Sequence, residues 1–202
     1  MVGAAASISK STIRDRLCRL HQRSIGFVYF AGLFSFCAYF SMYAFRKPFT
    51  AARYEDVTQW PFEFDYKVTL VIVQVLGYAL SKFIGIKIVS EARPRFRAIM
   101  NIGNVKTAWL ALVGFALVPP PYNVGMLFLN GLPLGMIWGL VFSYLEGRRT
   151  SEILGAILCS SFILSSGVVK AVGAALIIHF SVPDFWMPAA TGALFFPLLA
   201  LS

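Results

Sequence analysis

Six long apolar segments follow one another along the chain, and short polar stretches separate them. A helix that crosses a bilayer needs about 20 mainly apolar residues. The proline run in "VPPPYN" divides one apolar stretch in two, because proline lacks a backbone donor and clashes with the preceding turn. The pattern predicts an all-α, multi-pass transmembrane bundle within residues 25–202. Its spans are expected at about 24–46, 68–88, 98–118, 122–145, 152–178 and 185–202.

Residues 1–24 form a separate basic arm that we expect to lie in the cytosol. Ile13, Leu17 and Leu20 share one helical face, and four arginines surround that face. The pattern is typical of an amphipathic helix that lies on anionic lipid. An organellar transit peptide is the alternative, because the segment is rich in arginine and serine and contains one acid.

The composition identifies the solvent that the apolar segments face. Of the 202 residues, 58% are hydrophobic and 13% are charged, whereas soluble domains have about 25% charged residues. A basic nucleic-acid-binding domain would mix its cations with polar residues, but residues 107–145 carry no charge. We therefore predict an integral membrane protein in contact with lipid and without a nucleic-acid partner.

The basic residues of the short loops predict the orientation in the membrane. Lysines and arginines are concentrated in the N-terminal arm and in the loops after the second and fourth spans. On the opposite side, the loop after the first span has four basic residues beside four acidic ones, and the other two loops have no basic residue. The N-terminus is therefore predicted to face the cytosol.

Four cations interrupt or border the predicted spans: Arg46, Lys82, Lys106 and Lys170. A charge at the bilayer centre costs about 2.5–3.5 kcal/mol on insertion scales. No Asp or Glu falls in the middle of any predicted span, so an anion that is not part of these spans would have to neutralise the cations. The alternative is snorkelling, in which the long side chains reach the membrane interface.

Three of the predicted helices have one polar face each. On the first helix this face comprises Ser35, Tyr39, Tyr43 and Arg46. On the second helix it comprises Gln74, Tyr78, Ser81 and Lys82. On the fifth helix it comprises Ser166, Lys170 and Gly173. Such faces predict a shared aqueous cavity, where an arginine fork, lysine charges and tyrosine hydroxyls suit a phosphate or a carboxylate. The predicted substrate-binding residues are Arg46, Lys47, Lys82, Tyr39, Tyr43 and Lys170.

The fourth predicted helix carries a ridge of small residues. Gly131, Gly135 and Gly139 recur every four residues in "GLPLGMIWG". Small residues at this spacing let two membrane helices approach closely. We therefore predict tight packing at this ridge and assign it no binding role.

Four short segments carry a resemblance to a known family. They are "AYFSMYAFRKPFTAA", "LSKFIG", "SEARPRFR" and "YLEGRRTSE", in this order along the chain. Together they resemble the N-terminal six-helix half of a major facilitator superfamily transporter, in its organophosphate:phosphate antiporter branch or a divergent relative. The resemblance implies that Arg46 binds a substrate phosphate, with Lys47 and Lys82 beside it. It also implies a second six-helix half as a partner, since the superfamily has two such halves and this sequence ends inside the sixth span.

The sequence thus predicts a transporter, or half of one, that moves a small organic anion such as a phosphorylated metabolite by alternating access. A non-transporting membrane protein, either a degenerate half-transporter or an assembly partner, is the alternative. The sequence has no H-E-x-x-H motif, no paired intramembrane aspartates and no Ser–His pair at workable spacing. We therefore expect no enzymatic activity, no cofactor and no metal.

Overall fold

The computed structural model describes Gly26 and residues 28–55, 57, 60–91, 94–143 and 151–201, with the backbone alone at 94, 95, 151, 200 and 201. The predicted N-terminal arm lies outside these residues. The described regular structure is helical throughout and contains no strand. Its helices are α1 (Val28–Tyr43), α2 (Tyr66–Glu91), α3 (Pro94–Leu117), α4 (Val124–Phe142), α5 (Ser151–Phe180) and α6 (Met187–Leu201), with a short 3₁₀ helix at Pro48–Ala51.

Four of these helices, α2 to α5, are each long and apolar enough to cross a membrane, whereas α1 and α6 are shorter apolar helices. Large apolar side chains cover their outer faces: Phe83 of α2 is 76% exposed, and Ile178 of α5 is 72% exposed. Soluble monomers rarely expose contiguous apolar surface on this scale. These faces are suited to lipid, in agreement with the predicted membrane-embedded helices.

The helix α4 is the centre of the bundle, since it packs along both α2 and α3. A Cβ atom added at Gly131 would collide with the carbonyl oxygen of Gln74, and one added at Gly135 would lie 2.5 Å from the carbonyl oxygen of Tyr78. The α2 side contributes Gly77, where a Cβ would lie 2.5 Å from the carbonyl oxygen of Phe128. The predicted close packing at the glycine ridge is therefore seen between α4 and α2.

A carboxylate joins the α5–α6 connection to the segment after the 3₁₀ helix. Asp184 Oδ2 accepts hydrogen bonds from the backbone N–H groups of Arg53, at 3.0 Å, and Tyr54, at 2.8 Å. Tyr54 has a left-handed backbone (φ 58°), and its side chain is buried against Tyr66 and Phe115. This contact fixes the position of the chain that leads from α1 into α2.

Candidate functional site

Arg46 and Lys47 lie in the turn that follows α1. The N–H groups of Ala44, Phe45 and Arg46 each bond to the carbonyl three residues earlier, which tightens the last turn of the helix. Pro48 comes next and has no N–H with which to continue the helical ladder. The regular helix therefore ends at Tyr43, and the N–H groups of Arg46 and Lys47 both bond to the carbonyl of Tyr43 before Pro48 interrupts the ladder.

Two side-chain amides bind the carbonyl oxygens at this helix end. Gln74 Nε2 on α2 donates to the carbonyl of Arg46, at 3.0 Å, and to Asn130 Oδ1, at 2.7 Å. Asn130 Nδ2 on α4 donates to the carbonyls of Phe45, at 3.2 Å, and of Ala108 on α3, at 2.9 Å. Both amides are buried, so this network ties the end of α1 to α2, α3 and α4 within the core.

Tyr78, one turn beyond Gln74 on α2, places its ring beside two cations. The guanidinium carbon of Arg46 lies 4.0 Å from the ring centroid, and Lys82 Nζ lies 4.9 Å from it. Arg46 also lies 5.7 Å from the ring centroid of Tyr43. Cations within about 6 Å of a ring face are attracted by about 0.5–2 kcal/mol. The structure therefore brings Arg46 and Lys82, from two separate elements, to the same aromatic side chain.

The two predicted tyrosines of α1 are part of the core beside this group. Tyr39 is 3% exposed and Tyr43 is 6% exposed, and their rings meet edge to face with centroids 5.7 Å apart. The guanidinium carbon of Arg46 lies 5.7 Å from the ring centroid of Tyr43, and Tyr43 also stacks on Phe162 of α5. Tyr43 therefore contacts the arginine from inside the bundle, and Tyr39 packs against Tyr43.

Lys47 follows Arg46 and is the N-cap residue of the 3₁₀ helix. Burial lowers the pKa of Lys47, and the charges of Arg46 and Lys170 lower it further. Since α5 packs against the 3₁₀ helix, Lys170 is brought near Lys47. Lys170 and Lys82 are exposed, while Arg46 and Lys47 are half-buried.

No described carboxylate lies within salt-bridge distance of Arg46, Lys47, Lys82 or Lys170. The described acidic residues occupy connections or helix ends, for example Asp184 in the α5–α6 connection. The four cations, called the cation cluster below, are linked in pairs: the Tyr78 ring contacts Arg46 and Lys82, and the charge of Lys47 is affected by Arg46 and Lys170. Together they carry an excess of positive charge. Such a cluster attracts an anion, and the guanidinium fork suits a phosphate or a carboxylate.

The comparison with known families is informative for most of the chain. A family model described as "Family of unknown function (DUF5690)" matches residues 48–202. The chain belongs to this family. Neither the comparison with curated proteins nor that with solved structures gave a match.

Within this DUF5690 chain, the matched region divides the candidate site. It contains the helices that carry Gln74, Lys82, Asn130 and Lys170, whereas α1 and Arg46 precede it.

Asn130 was not among the residues predicted from the sequence, although it is fully buried in α4 and bonds to three other parts of the bundle. The signal was present, because an isolated amide in a long uncharged run needs a polar partner. The helical spacing also predicted that Gln74, Tyr78 and Ser81 share a polar face with Lys82. In the structure those three side chains are buried, and only Lys82 is exposed.

A cavity of about 410 Å³ lies next to Lys82, between the C-terminal halves of α2 and α4. Its wall includes Gly135 and Gly139 of α4, and Arg97 of α3 lies at its margin. Arg97 donates a hydrogen bond to the carbonyl of Ser143 at 3.2 Å. Lys82 therefore adjoins both the Tyr78 ring and an open space. Among the described residues, no group of three or more His, Cys, Asp or Glu side chains is placed to hold a metal ion.

Proposed function

We propose that this DUF5690 chain is a membrane transporter, or the N-terminal half of one, that moves a small organic anion by alternating access. Arg46 and Lys82 bind the charged group of the anion, and Lys47 and Lys170 add positive charge from the side of α5. Tyr39 and Tyr43 shape the inner wall. A phosphorylated metabolite is the kind of cargo that this set of side chains suits.

One observation carries the proposal: Arg46 and Lys82, from different elements, lie 4.0 Å and 4.9 Å from the ring centroid of Tyr78, and no described carboxylate pairs with either of them. Snorkelling would separate them, since each side chain would extend to the nearest water. Unpaired cations at membrane depth are costly. A bound anion would offset that cost, and release of the anion would restore the cost. A transporter needs a site that binds its substrate reversibly in this way.

In this proposal α1 and α6 complete a set of six spans, and the N-terminus faces the cytosol. Four helices already have the length and apolarity of spans, and the basic loops set the orientation. The bundle is proposed to be half of a major facilitator fold, with lipid around it and a second six-helix half as its partner. Rocking of the two halves about the cation cluster would expose it to each side in turn.

Flux into proteoliposomes tests the proposal. The wild-type chain is expected to take up labelled inorganic phosphate or a labelled phosphomonoester against an internal anion, and Arg46→Gln is expected to lose that uptake. Arg53→Gln is the matched control, because Arg53 is exposed and lies 3.4 Å from Glu55 in an ion pair away from the cluster. Uptake by Arg46→Gln at the wild-type rate would refute the site. No uptake by the wild type, together with co-purification of another membrane protein, would favour a non-transporting assembly partner.

A further inference from the structure

The carbonyl oxygens of Phe45 and Arg46 leave the helical ladder where α1 ends. Helix ends have carbonyls without intrahelical partners, and in a core these groups need other donors. Phe45 is fully buried, so water does not reach its carbonyl oxygen to donate a hydrogen bond. Side chains of other helices supply the donors here.

The two amides that supply them use all of their amino protons. Gln74 Nε2 has two protons and two acceptors, the Arg46 carbonyl and Asn130 Oδ1. Asn130 Nδ2 also has two protons and two acceptors, the carbonyls of Phe45 and Ala108. Since every amino proton is used, the orientation of both amides is fixed by their acceptors.

The network and the cation site share one strip of α2. Gln74 holds the backbone of Arg46, and Tyr78, four residues later on the same helical face, holds its guanidinium. Residues of α2 therefore contact both the backbone and the side chain of Arg46, and α2 also carries Lys82.

Close approach of α4 to α2 makes this arrangement possible. Gly131, the neighbour of Asn130, lies against the carbonyl of Gln74 and the backbone nitrogen of Tyr78. A side chain at Gly131 would push α4 away from α2. The separation would then place the Asn130 amide out of reach of the end of α1.

We propose that Gln74 and Asn130 are positioning residues for anion binding, which they control by fixing where Arg46 leaves α1. This inference rests on the proposed function, because it assigns the two amides to the anion site formed by Arg46. Neither amide needs to touch the anion. Their effect on binding passes through the arginine.

The test is equilibrium binding of labelled inorganic phosphate, with malonate as a carboxylate probe, to the purified full-length chain. Gln74→Met and Asn130→Leu keep the side-chain size and remove the donors. Loss of a hydrogen bond that holds a binding group is expected to weaken the Kd of the better-bound probe by about tenfold. Asn123→Leu is the matched control, because Asn123 is a buried amide without a hydrogen bond to α1, and we expect its Kd to equal that of the wild type.

A double-mutant cycle with Arg46→Gln separates positioning from general damage to the fold. If the amides act through Arg46, Gln74→Met and Asn130→Leu cause no further loss in the Arg46→Gln background. If Asn130→Leu does not fold, Gln74→Met decides, since it leaves the bonds from Asn130 to α1 and α3 in place.

Three outcomes are distinguishable. Wild-type binding that is lost in Arg46→Gln but unchanged in both amide variants would overturn the inference and leave the proposed function standing. Equal losses in the presence and absence of Arg46 would also overturn it, since the amides would then act on the bundle as a whole. Failure of the wild type to bind either probe would overturn the proposed function together with the inference.

Discussion

The guanidinium carbon of Arg46 lies 4.0 Å from the ring centroid of Tyr78. The arginine follows the end of α1, and the tyrosine lies within α2. The same ring has Lys82 Nζ at 4.9 Å. One aromatic side chain thus contacts two cations of separate elements, although their charges repel each other.

Replacement of Tyr78 tests the role of its ring. Tyr78→Leu removes the attraction that each cation gains from the ring, whereas Tyr78→Phe keeps the ring and removes the hydroxyl. A cation–π contact of about 0.5–2 kcal/mol corresponds to about a 2- to 30-fold change in affinity. We expect phosphate binding to weaken within this range for Tyr78→Leu and to stay near the wild-type value for Tyr78→Phe. Equal losses in both variants would assign the effect to the hydroxyl.

Substitution of Gly131 tests the close contact between α4 and α2. A Cβ in Gly131→Ala would meet the backbone of Gln74 and Tyr78, which cannot rotate away as a side chain can. Overpacking of this kind costs about 2 kcal/mol, which lowers the Tm of a chain of this size by roughly 6 °C. Thermal unfolding in detergent measures the shift.

The control for this substitution is Gly167→Ala on α5, because a Cβ there meets nothing within 4 Å. Alanine is a better helix former than glycine by roughly 0.5–1 kcal/mol, so its Tm should be unchanged or slightly higher. A similar fall in Tm for both variants would show that the α2–α4 contact does not limit stability.

The lowered pKa of Lys47 predicts a pH dependence of stability. The folded protein releases the proton of Lys47 below the ordinary pKa of 10.5, because burial, Arg46 and Lys170 disfavour its charge. The unfolded chain then binds more protons, so stability rises with pH from the lowered pKa up to 10.5 and levels off above it.

The variant Lys47→Met isolates this contribution, since it removes the titrating group and keeps an unbranched side chain. Relative to Lys47→Met, the wild type should gain stability as the pH rises toward 10.5, and denaturant unfolding at several pH values measures the gain. Parallel pH profiles for the two proteins would mean that Lys47 is charged at no cost in the folded state.

The apolar pattern predicted most of the helical architecture. The segments between helices were visible as prolines and charges, and the predicted glycine ridge of α4 does lie against α2. The end of α1 was harder to place, because apolar residues continue through Phe45 while the helix stops at Tyr43. There Pro48 and hydrogen bonds from distant helices decide the boundary, and hydropathy contains no information about either.

The sequence predicted which residues form the candidate site, but it did not predict how their side chains are arranged. Helical spacing put Gln74, Tyr78 and Lys82 on one face of α2, yet Gln74 points to a backbone carbonyl and Lys82 to the exterior. The difference arises because α4 covers part of that face. The importance of Asn130 also depends on tertiary contacts, since its acceptors Phe45 and Ala108 are far from it in the sequence.

The central claim is that Arg46 and Lys82 bind one anion together. The most direct test is equilibrium phosphate binding by the wild type, Arg46→Gln, Lys82→Gln and Lys106→Gln, with Lys106 as an exposed lysine of α3 that takes no part in the cluster. The account predicts that Arg46→Gln and Lys82→Gln each lose at least about tenfold in affinity, as expected for loss of a charge-assisted bond, while Lys106→Gln binds like the wild type. Wild-type affinity in both Arg46→Gln and Lys82→Gln, or an equal loss in Lys106→Gln, would contradict it.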